Sequence, residues 1–318
     1  MEKILITGGC GYIGTNLVKH LLKQKHKITV IDTQWFGNFL PKHKNLKVYK
    51  MDIRNINHDI FNNLSTVIHL ASISNDPSSD LDPKLAWEVG ALATYELLEI
   101  SKKKKIKNFI YASSGSVYGI SNKKKVDELT SKVPISDYNK QKMVTEKVIE
   151  SFSKDFRTII FRPATVCGIS PRLRLDVSVN LLTYQAYKNK IINVLGGKQI
   201  RPNIHIDDMV SLYDFALKNK TLEGIYNAGF ENISILDISK MIQKVTNCRI
   251  NIKASNDPRS YRLDSSKILS KGFKPKKNVN IAVEELLNFF KSNKYKASFK
   301  NINLQLMQKI NIRWKFLL

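Results

Sequence analysis

A short apolar strand, a glycine-rich turn and a helix follow one another at the start of the chain. Residues 4–6 form the apolar run typical of a buried parallel strand, and the glycines follow at once. Gly8 permits a tight turn, Gly11 lets a phosphate approach the backbone, and Gly14 lets the helix pack closely on the strand. The free amides of the helix over 12–23 would face the phosphates. The segment therefore predicts a dinucleotide site.

The choice of dinucleotide depends on Asp32. Residues 9–14 fit G-x-G-x-x-G and residues 8–14 also fit G-x-x-G-x-x-G, so the glycines leave the subfamily open. Asp32 ends a second strand-like run, residues 27–31, where a carboxylate can bind both ribose hydroxyls. That carboxylate would repel a 2′-phosphate, so we expect NAD rather than NADP. The alternative is a glycine-rich turn in some other α/β protein.

Short apolar runs alternate with helical stretches through the first half of the chain. The candidate strands are 46–49, 66–70, 109–112 and 158–161, and the candidate helices between them are 83–102 and 138–153. Such alternation, with right-handed crossovers, puts helices on both faces of a parallel sheet. The predicted fold class is α/β, a doubly wound parallel Rossmann sheet with a smaller C-terminal substrate-binding lobe.

The second lobe begins where the sequence becomes loop-like and rich in arginine, after residue 161. We expect residues 1–165 to form the NAD-binding domain, with 203–230 returning to it, and 166–293 to form mainly the substrate-binding lobe. Candidate helices beyond this point lie at 177–188, 207–218, after Ser234, and at 264–271 and 279–293.

The last segment, residues 294–318, is a basic tail. Residues 291–318 contain seven basic and no acidic side chains. Apolar and polar residues alternate over 302–306 and 310–316, which favours a strand, although a helical face is shared by Leu306, Met307, Ile310, Trp314 and Leu317. A packing arm is the favoured interpretation, and contact with a membrane surface or a partner is the less favoured one.

The charge balance is strongly basic, with 52 Lys and Arg against 27 Asp and Glu and a formal charge of +25. Such a charge would suit nucleic acid, an anionic membrane or phosphorylated substrates. Most of the excess is lysine in runs such as 102–105 and 123–125, which are typical of solvated surfaces. No nucleic-acid-reading motif accompanies them, so we expect no nucleic-acid partner.

The cysteines bear on compartment and metal. Cys10, Cys167 and Cys248 show neither paired nor metal-like spacing, so we expect free thiols and no metal site. The first strand begins almost at Met1, and no apolar run reaches the ~18 residues that span a bilayer. The sequence therefore predicts a cytoplasmic protein.

A tyrosine and a lysine carry the candidate chemistry. Tyr138 and Lys142 stand four residues apart on one predicted helix, so their side chains reach the same site. An unperturbed tyrosine titrates at about 10, and a nearby ammonium together with an oxidised nicotinamide would favour the phenolate. Lys142 can also hold a cofactor ribose, and Ser114 ends the preceding strand within reach of the pocket. The pattern predicts a proton-abstracting phenol.

The sequence resembles the nucleotide-sugar epimerase/dehydratase branch of the extended short-chain dehydrogenase/reductase superfamily over about residues 2–293. The matching segments are TGGCGYIG at 7–14, MDIR at 51–54, HLAS at 69–72, YASSGSVYG at 111–119, YNKQK at 138–142, RP at 162–163 and RPNIHIDD at 201–208. The loop 168–176 and the region 257–259 also look like bacterial enzymes that oxidise GDP-linked heptoses at carbon 4.

This resemblance implies an NAD-dependent enzyme in which Ser114, Tyr138 and Lys142 are catalytic. It implies cofactor contacts from Gly8, Gly11, Tyr12, Ile13, Gly14, Asp32, Asp52, Ile53, Leu70, Ala71, Ser72, Tyr138 and Lys142. It implies substrate contacts from Ser114, Thr165, Asn180, Arg201 and Arg259, the last three to a diphosphate, for which bidentate arginine geometry is suited.

Three departures from the family pattern concern the site. Gly90 stands where the family usually has an asparagine near the cofactor, and Thr165 replaces a frequent asparagine near the sugar. Dehydratases of this branch carry an Asp-Glu pair directly after the catalytic Ser or Thr, and those positions are Gly115 and Ser116 here. General acid-base catalysis of water elimination therefore lacks its groups.

The expected activity is that of a nucleotide-diphosphate-sugar epimerase or dehydrogenase that oxidises a sugar hydroxyl, at carbon 4, through a keto-sugar. A 4-ketoreductase and a 4,6-dehydratase are alternatives, and a non-catalytic dinucleotide sensor or RNA-associated scaffold is an alternative from a different class. We expect a homodimer. Since the resemblance ends near residue 293, we expect the basic tail to be dispensable for the chemistry.

Overall fold

A seven-stranded parallel sheet forms the centre of the structure, a computed structural model that describes residues 1–121, 123–255 and 260–314 (backbone only for 311–314). Its strands are β1 (Lys3–Thr7), β2 (Lys27–Asp32), β3 (Leu46–Lys50), β4 (Thr66–His69), β5 (Asn108–Ala112), β6 (Arg157–Pro163) and β10 (Gly224–Ala228). The strand order is β10-β6-β5-β4-β1-β2-β3, and neighbouring strands pair in parallel. The α/β fold class predicted from the sequence is confirmed.

Helices flank both faces of this sheet. In chain order they are α1 (Tyr12–Lys23), α2 (Asp76–Ser79), α3 (Pro83–Trp87), α4 (Ala93–Lys103), α5 (Asp137–Ser151), α6 (Ser178–Asn189), α7 (Ile206–Lys218), α8 (Ile235–Thr246), α9 (Ser266–Ser270), α10 (Val279–Ser292) and α11 (Asn303–Trp314). Ile4 and Ile6 are buried in the core that contains α1 and α7, whereas Leu5 is buried in the core that contains α4. Because alternate residues of β1 face opposite cores, the sheet is doubly wound.

The second lobe is built on two small sheets. One has the order β11-β9-β7, with β7 (Thr165–Cys167), β9 (Ile200–His205) and β11 (Glu231–Ser234), and the other pairs β8 (Ile191–Leu195) with β12 (Arg249–Lys253). Helix α6 packs against both α8 and α10. Within the predicted return segment 203–230, α7 covers the central sheet and β10 is its edge strand, but the end of β9 belongs to the smaller sheet.

Two elements differ from their predicted form. The helix expected over 83–102 is interrupted by a π-helical segment, Glu88–Leu92, between α3 and α4. The tail that alternation assigned to a strand forms α11, the helical alternative, with Leu306 and Met307 buried. Within the described residues, no helix combines the length and the apolar character needed to cross a bilayer.

A buried ion pair fixes α5 against the sheet. Arg162 of β6 donates from Nε to Glu146 Oε1 at 2.9 Å and from Nη2 to Glu146 Oε2 at 2.7 Å, and both side chains are completely buried. Ser113 donates to Glu146 Oε1 at 2.6 Å, and Arg162 Nη1 donates to the Tyr118 hydroxyl. Glu146 lies one turn after Lys142, so the pair sets the height and rotation of the helix that carries the candidate chemistry.

Replacing Glu146 by glutamine is expected to lower the free energy of unfolding by about 3–5 kcal/mol, because it leaves the buried Arg162 charge without its partner. The midpoint of urea unfolding measures the change. Glu150→Gln is the matched control, since Glu150 lies one turn further along α5 in an exposed pair with Lys147, for which we expect a cost below about 0.5 kcal/mol. Equal losses in the two variants would contradict a special role for the buried pair.

Candidate active site

The turn between β1 and α1 is shaped by glycines that no larger residue could replace. Gly8 has φ +73°, and a Cβ there would lie 2.7 Å from Ala71 N. A Cβ at Gly14 would lie 2.7 Å from Gly9 Cα. Gly11 caps α1 in an extended conformation, so the first amides of the helix lie at the floor of a cleft.

This cleft runs along the carboxyl ends of β1, β2 and β4. Eleven residues expected to contact the cofactor line it together: Gly8, Gly11, Tyr12, Ile13, Gly14, Asp32, Asp52, Ile53, Leu70, Ala71 and Ser72. The same cleft has lining residues that the sequence reasoning did not single out, among them Phe36, Arg172, Arg174, Asn303 and Met307. A cleft at the carboxyl ends of parallel strands, lined by residues of both lobes, is typical of a dinucleotide site.

Asp32 is held in place at the end of β2. Its Oδ2 accepts a hydrogen bond from Cys10 N at 2.9 Å, and its Oδ1 accepts one from Gln34 N at 2.7 Å. Burial raises the pKa of the Asp32 carboxyl, and these two amide hydrogen bonds oppose the shift. The carboxylate therefore has a fixed orientation toward the cleft that it lines.

The three candidate catalytic side chains lie together between the end of β5 and the first half of α5. Ser114 caps the short helix Gly115–Tyr118 after β5, its hydroxyl is 2.7 Å from that of Ser116, and its interaction with Tyr138 in the first turn of α5 lowers the Tyr138 pKa. Lys142 is 3% exposed, and its Nζ donates to Ala112 O at 2.8 Å. The lysine Nζ also lies 4.7 Å from the centroid of the Tyr111 ring and 6.0 Å from that of Tyr138.

Comparison with known proteins identifies the family. The model of the NAD dependent epimerase/dehydratase family matches residues 4–229. The chain belongs to that family. It is accordingly an NAD-dependent enzyme, and the Rossmann fold, the cofactor and the family resemblance expected from the sequence are confirmed.

Individual relatives differ in their activities. The chain is 31% identical to the uncharacterized UDP-glucose epimerase YtcB of Bacillus subtilis, over 83% of this chain and 90% of that protein. It is also 31% identical to the dTDP-D-glucose 4,6-dehydratase of Dictyostelium discoideum, over 77% of this chain but only 62% of that longer protein. The solved UDP-glucuronic acid 4-epimerase of Bacillus cereus, in complex with UDP-glucuronic acid and NAD, superimposes with a TM-score of 0.82 at 28% identity, over 92% of this chain and 99% of that one.

The residues present fit NAD. At Gly8 and Gly14 a Cβ would collide with the backbone of Ala71 and Gly9, so the glycines let the turn pack tightly enough for the start of α1 to line the cleft. Asp32 would supply the carboxylate for the ribose hydroxyls. Arg172, a cleft residue that is 4% exposed, has two guanidinium nitrogens without a hydrogen-bond partner in the described part of the chain, which suits an anionic ligand.

Burial shifts the pKa values of both members of the candidate catalytic pair. Burial raises the pKa of Tyr138, and the hydrogen bond with Ser114 opposes this shift without cancelling it. Burial lowers the pKa of Lys142 to about 7, with Glu146 in opposition. Lys142 Nζ donates to Ala112 O and lies beside the Tyr111 ring, and the expected effect of its ammonium on the Tyr138 pKa stays a prediction. The prediction for the Tyr138 pKa also depends on the positive charge of an oxidised nicotinamide.

Two charged residues near Tyr138 were missed by sequence reasoning. Asp76 raises the pKa of Tyr138 and accepts hydrogen bonds from Ser136 and from Asn139 Nδ2 at 3.2 Å. Arg174 lowers that pKa and is paired with Asp176 at 2.8 Å. Asp76 follows the HLAS segment, and no sequence pattern marks it as a site residue. Arg174 lies in the arginine-rich loop, which indicated only a family resemblance.

The predicted substrate residues are not all equally available. Asn180 is fully buried, its Oδ1 accepts from Gly168 N, and its Nδ2 donates to Tyr12, Gly168 and Arg174 oxygens. Since these bonds occupy both ends of the amide, the structure does not support the predicted contact of Asn180 with a substrate diphosphate. Thr165 begins β7 and Arg201 lies on the adjacent β9, both partly buried. Arg259 lies outside the described residues.

One cluster has the composition of a metal site. His205, Asp207 and Glu285 bring three potential ligand atoms together in the second lobe. Lys277 Nζ lies 2.7 Å from Asp207 Oδ2 and 2.5 Å from Glu285 Oε1. The ammonium already supplies the positive charge at this place, and the cluster acts as an ion-pair network.

Gly90 is explained by Gln141. A Cβ at position 90 would overlap the amide of Gln141, whose Nε2 would be 2.9 Å away. Gln141 is fully buried beside Lys142, and its Nε2 lies 3.4 Å from Ser72 Oγ in the cleft wall. The family pattern usually has an asparagine at position 90. Here the side-chain amide of Gln141, on α5, occupies the space beside Gly90 instead.

The Gly90–Gln141 pair gives a double-mutant prediction. Gly90→Ala is expected to destabilise the protein by about 1–3 kcal/mol, since the buried amide must move in a packed core. In a Gln141→Ser background the same change should be neutral or stabilising by up to about 1 kcal/mol, because alanine favours helix over glycine. Urea unfolding of the four chains measures the coupling. If Gly90→Ala cost the same in both backgrounds, Gln141 would not be the cause.

Proposed function

We propose that the enzyme oxidises a hydroxyl of a nucleotide-diphosphate sugar, at carbon 4, and that the activity is epimerisation through a keto-sugar. The observation that carries the proposal is the Ser114–Tyr138 hydroxyl pair beside the buried Lys142, adjoining a cleft that fits NAD. Relatives named as UDP-sugar 4-epimerases support the choice of substrate class.

In this mechanism Tyr138 takes the proton from the sugar hydroxyl, and Ser114 donates a hydrogen bond to the same oxygen. When bound, NAD accepts the hydride from the sugar carbon. Lys142, whose pKa is lowered to about 7 by burial, would donate to a cofactor ribose, and its ammonium together with the positive nicotinamide would favour the Tyr138 phenolate. Return of the hydride to the opposite sugar face gives the epimer, and release of the ketone gives the dehydrogenase variant.

Elimination of water is disfavoured by the space after Ser114. A Cβ at Gly115 would lie 2.8 Å from Leu263 Cδ1 and 3.2 Å from Pro163 O, so this position cannot hold a carboxylate. Ser116 donates its hydroxyl proton to Asn139 Oδ1. The 4,6-dehydratase alternative, although it is the named activity of one relative, therefore lacks the acid and base at these two positions. A 4-ketoreductase uses the same three catalytic groups and remains the alternative outcome.

We assign substrate contacts to Ser114, Thr165, Arg201 and Arg259, the two arginines toward the diphosphate. We propose that the protein has no nucleic-acid partner. The intact Ser114, Tyr138 and Lys142 argue against a purely sensing or RNA-associated scaffold role. A cytoplasmic location is supported by the three buried, unpaired cysteines.

The activity is tested by incubating the purified enzyme with UDP-, dTDP-, GDP- and CDP-sugars in deuterated water and analysing the products by mass spectrometry. We expect an epimer of unchanged mass with no carbon-bound deuterium at carbon 5. Tyr138→Phe keeps the ring and removes only the hydroxyl, so it should bind NAD normally and lose about 10²–10⁴-fold in turnover. A product lighter by one water with deuterium at carbon 5, or a fully active Tyr138→Phe enzyme, would contradict the proposal.

We also propose a homodimer formed through α4 and α5. Leu92, directly before α4, is 63% exposed, and Tyr95 on α4 and Val144 on α5 are 50% and 37% exposed, apolar side chains that burial in a dimer would stabilise. Light scattering should give twice the chain mass, and Leu92→Asp should shift the protein toward a monomer. A monomer at micromolar concentration would contradict this interface.

A further inference from the structure

The C-terminal segment, defined here as residues 298–310, lies along the cofactor cleft. Asn301 Nδ2 donates to Leu173 O at 3.0 Å, and Leu175 N donates to Asn301 O at 2.8 Å. Asn303 N, at the start of α11, donates to Asp176 Oδ2 at 3.0 Å. The segment is therefore bonded along the arginine-rich loop between β7 and α6.

Asn303 joins this loop to the opposite wall of the cleft. Its Nδ2 donates to Ser74 Oγ at 2.9 Å, and its Oδ1 accepts a hydrogen bond from Arg172 Nη2. Ser74 follows β4 and is itself a cleft residue. Met307, one turn further along, is 3% exposed and packs in the core that contains Ile53 and Ile73. Two residues of the segment, Asn303 and Met307, thus form part of the cleft wall.

Arg172 is a buried cation with unused donors. Its guanidinium carbon lies 3.9 Å from the centroid of the Phe36 ring, and the side chain is 4% exposed. Its Nε and Nη1 have no hydrogen-bond partner among residues 1–121, 123–255 and 260–314. Burial, and then the charge of Arg174, lower the pKa of Arg172 to about 9. A buried guanidinium in this condition is costly unless an anion pairs with it.

The position of Arg172 indicates which anion that is. Arg172 lines the same cleft as Tyr12, the first residue of α1, and Asp32 at the end of β2. A dinucleotide places its diphosphate at the helix N-terminus, between the ribose bound by Asp32 and the nicotinamide half. The planar fork of an arginine suits phosphate oxygens.

We propose that Arg172 binds the diphosphate of NAD and that Asn303 of the C-terminal segment is the residue that positions it. Phe36 holds the plane of the guanidinium, and Asn303 occupies Nη2, so that Nε and Nη1 are left for the phosphate. The segment thereby contributes to cofactor retention from outside the region of family resemblance. The proposal rests on NAD binding alone and is independent of the sugar substrate.

The test compares NAD, ADP and adenosine as ligands of the full chain stripped of cofactor, by calorimetry. Arg172→Gln should weaken NAD and ADP binding roughly tenfold or more, because charged hydrogen bonds to the diphosphate are lost, and should leave adenosine within about twofold. Asn303→Ala should produce the same pattern with a smaller loss, roughly threefold or more. Gln305→Ala, an exposed residue of the same helix, is the matched control and should change nothing.

The ligand comparison separates positioning from a merely structural role. Collapse of the cleft would weaken adenosine together with ADP, and that parallel loss, or unchanged ADP binding in Arg172→Gln, would overturn the proposal. If Arg172→Gln does not fold, Phe36→Leu removes the stacked ring without touching a hydrogen bond and should also weaken ADP but not adenosine. A wild-type chain that bound no NAD would instead refute the cofactor assignment.

Discussion

The Arg162–Glu146 ion pair is the interaction on which the geometry of the site depends. It is completely buried, it joins β6 to α5, and it accepts a further hydrogen bond from Ser113 next to Ser114. The pair lies one turn from Lys142. It therefore fixes the strand end that carries Ser114 and the helix that carries Tyr138, the two sides of the candidate catalytic group. Such a pair contributes little net stability compared with apolar packing, but its strict geometry favours one arrangement.

The site combines the glycine turn between β1 and α1 with buried cations that have few partners in the chain. The glycines of the β1–α1 turn let the backbone pack closely at the cleft, where the first amides of α1 can bind phosphates. Around it, Lys142 and Arg172 are buried cations whose pKa values are lowered mainly by loss of water. An anionic cofactor would stabilise such cations, whereas burial of Tyr138 raises its pKa and disfavours the phenolate.

The Gly90–Gln141 pair and the C-terminal segment shape the cleft wall at two places that the family resemblance did not predict. In the first, an amide is supplied by α5, and the neighbouring helix adopts a π-helical segment with a glycine to make room. In the second, a tail that lies beyond the family resemblance brings Asn303 and Met307 into the cleft wall. We expected the tail to be dispensable for the chemistry because the family resemblance ends near residue 293. Residues beyond that point nevertheless line the cleft.

The sequence by itself determined the parts of the protein in which function follows from local spacing. The strand–glycine–helix order around Gly8 and Gly14, the position of Asp32 and the four-residue step from Tyr138 to Lys142 are each contained in one short segment, so strand and helix periodicity suffice to predict them. Only the tertiary structure decided what lies across from those segments. The filling of the Gly90 space by Gln141, the internal use of Asn180, the approach of Asp76 to Tyr138 and the contact of Asn303 with Arg172 join residues far apart in the chain. For the tail, periodicity allowed both a strand and a helix, and burial of Leu306 and Met307 against the cleft wall selects the helix.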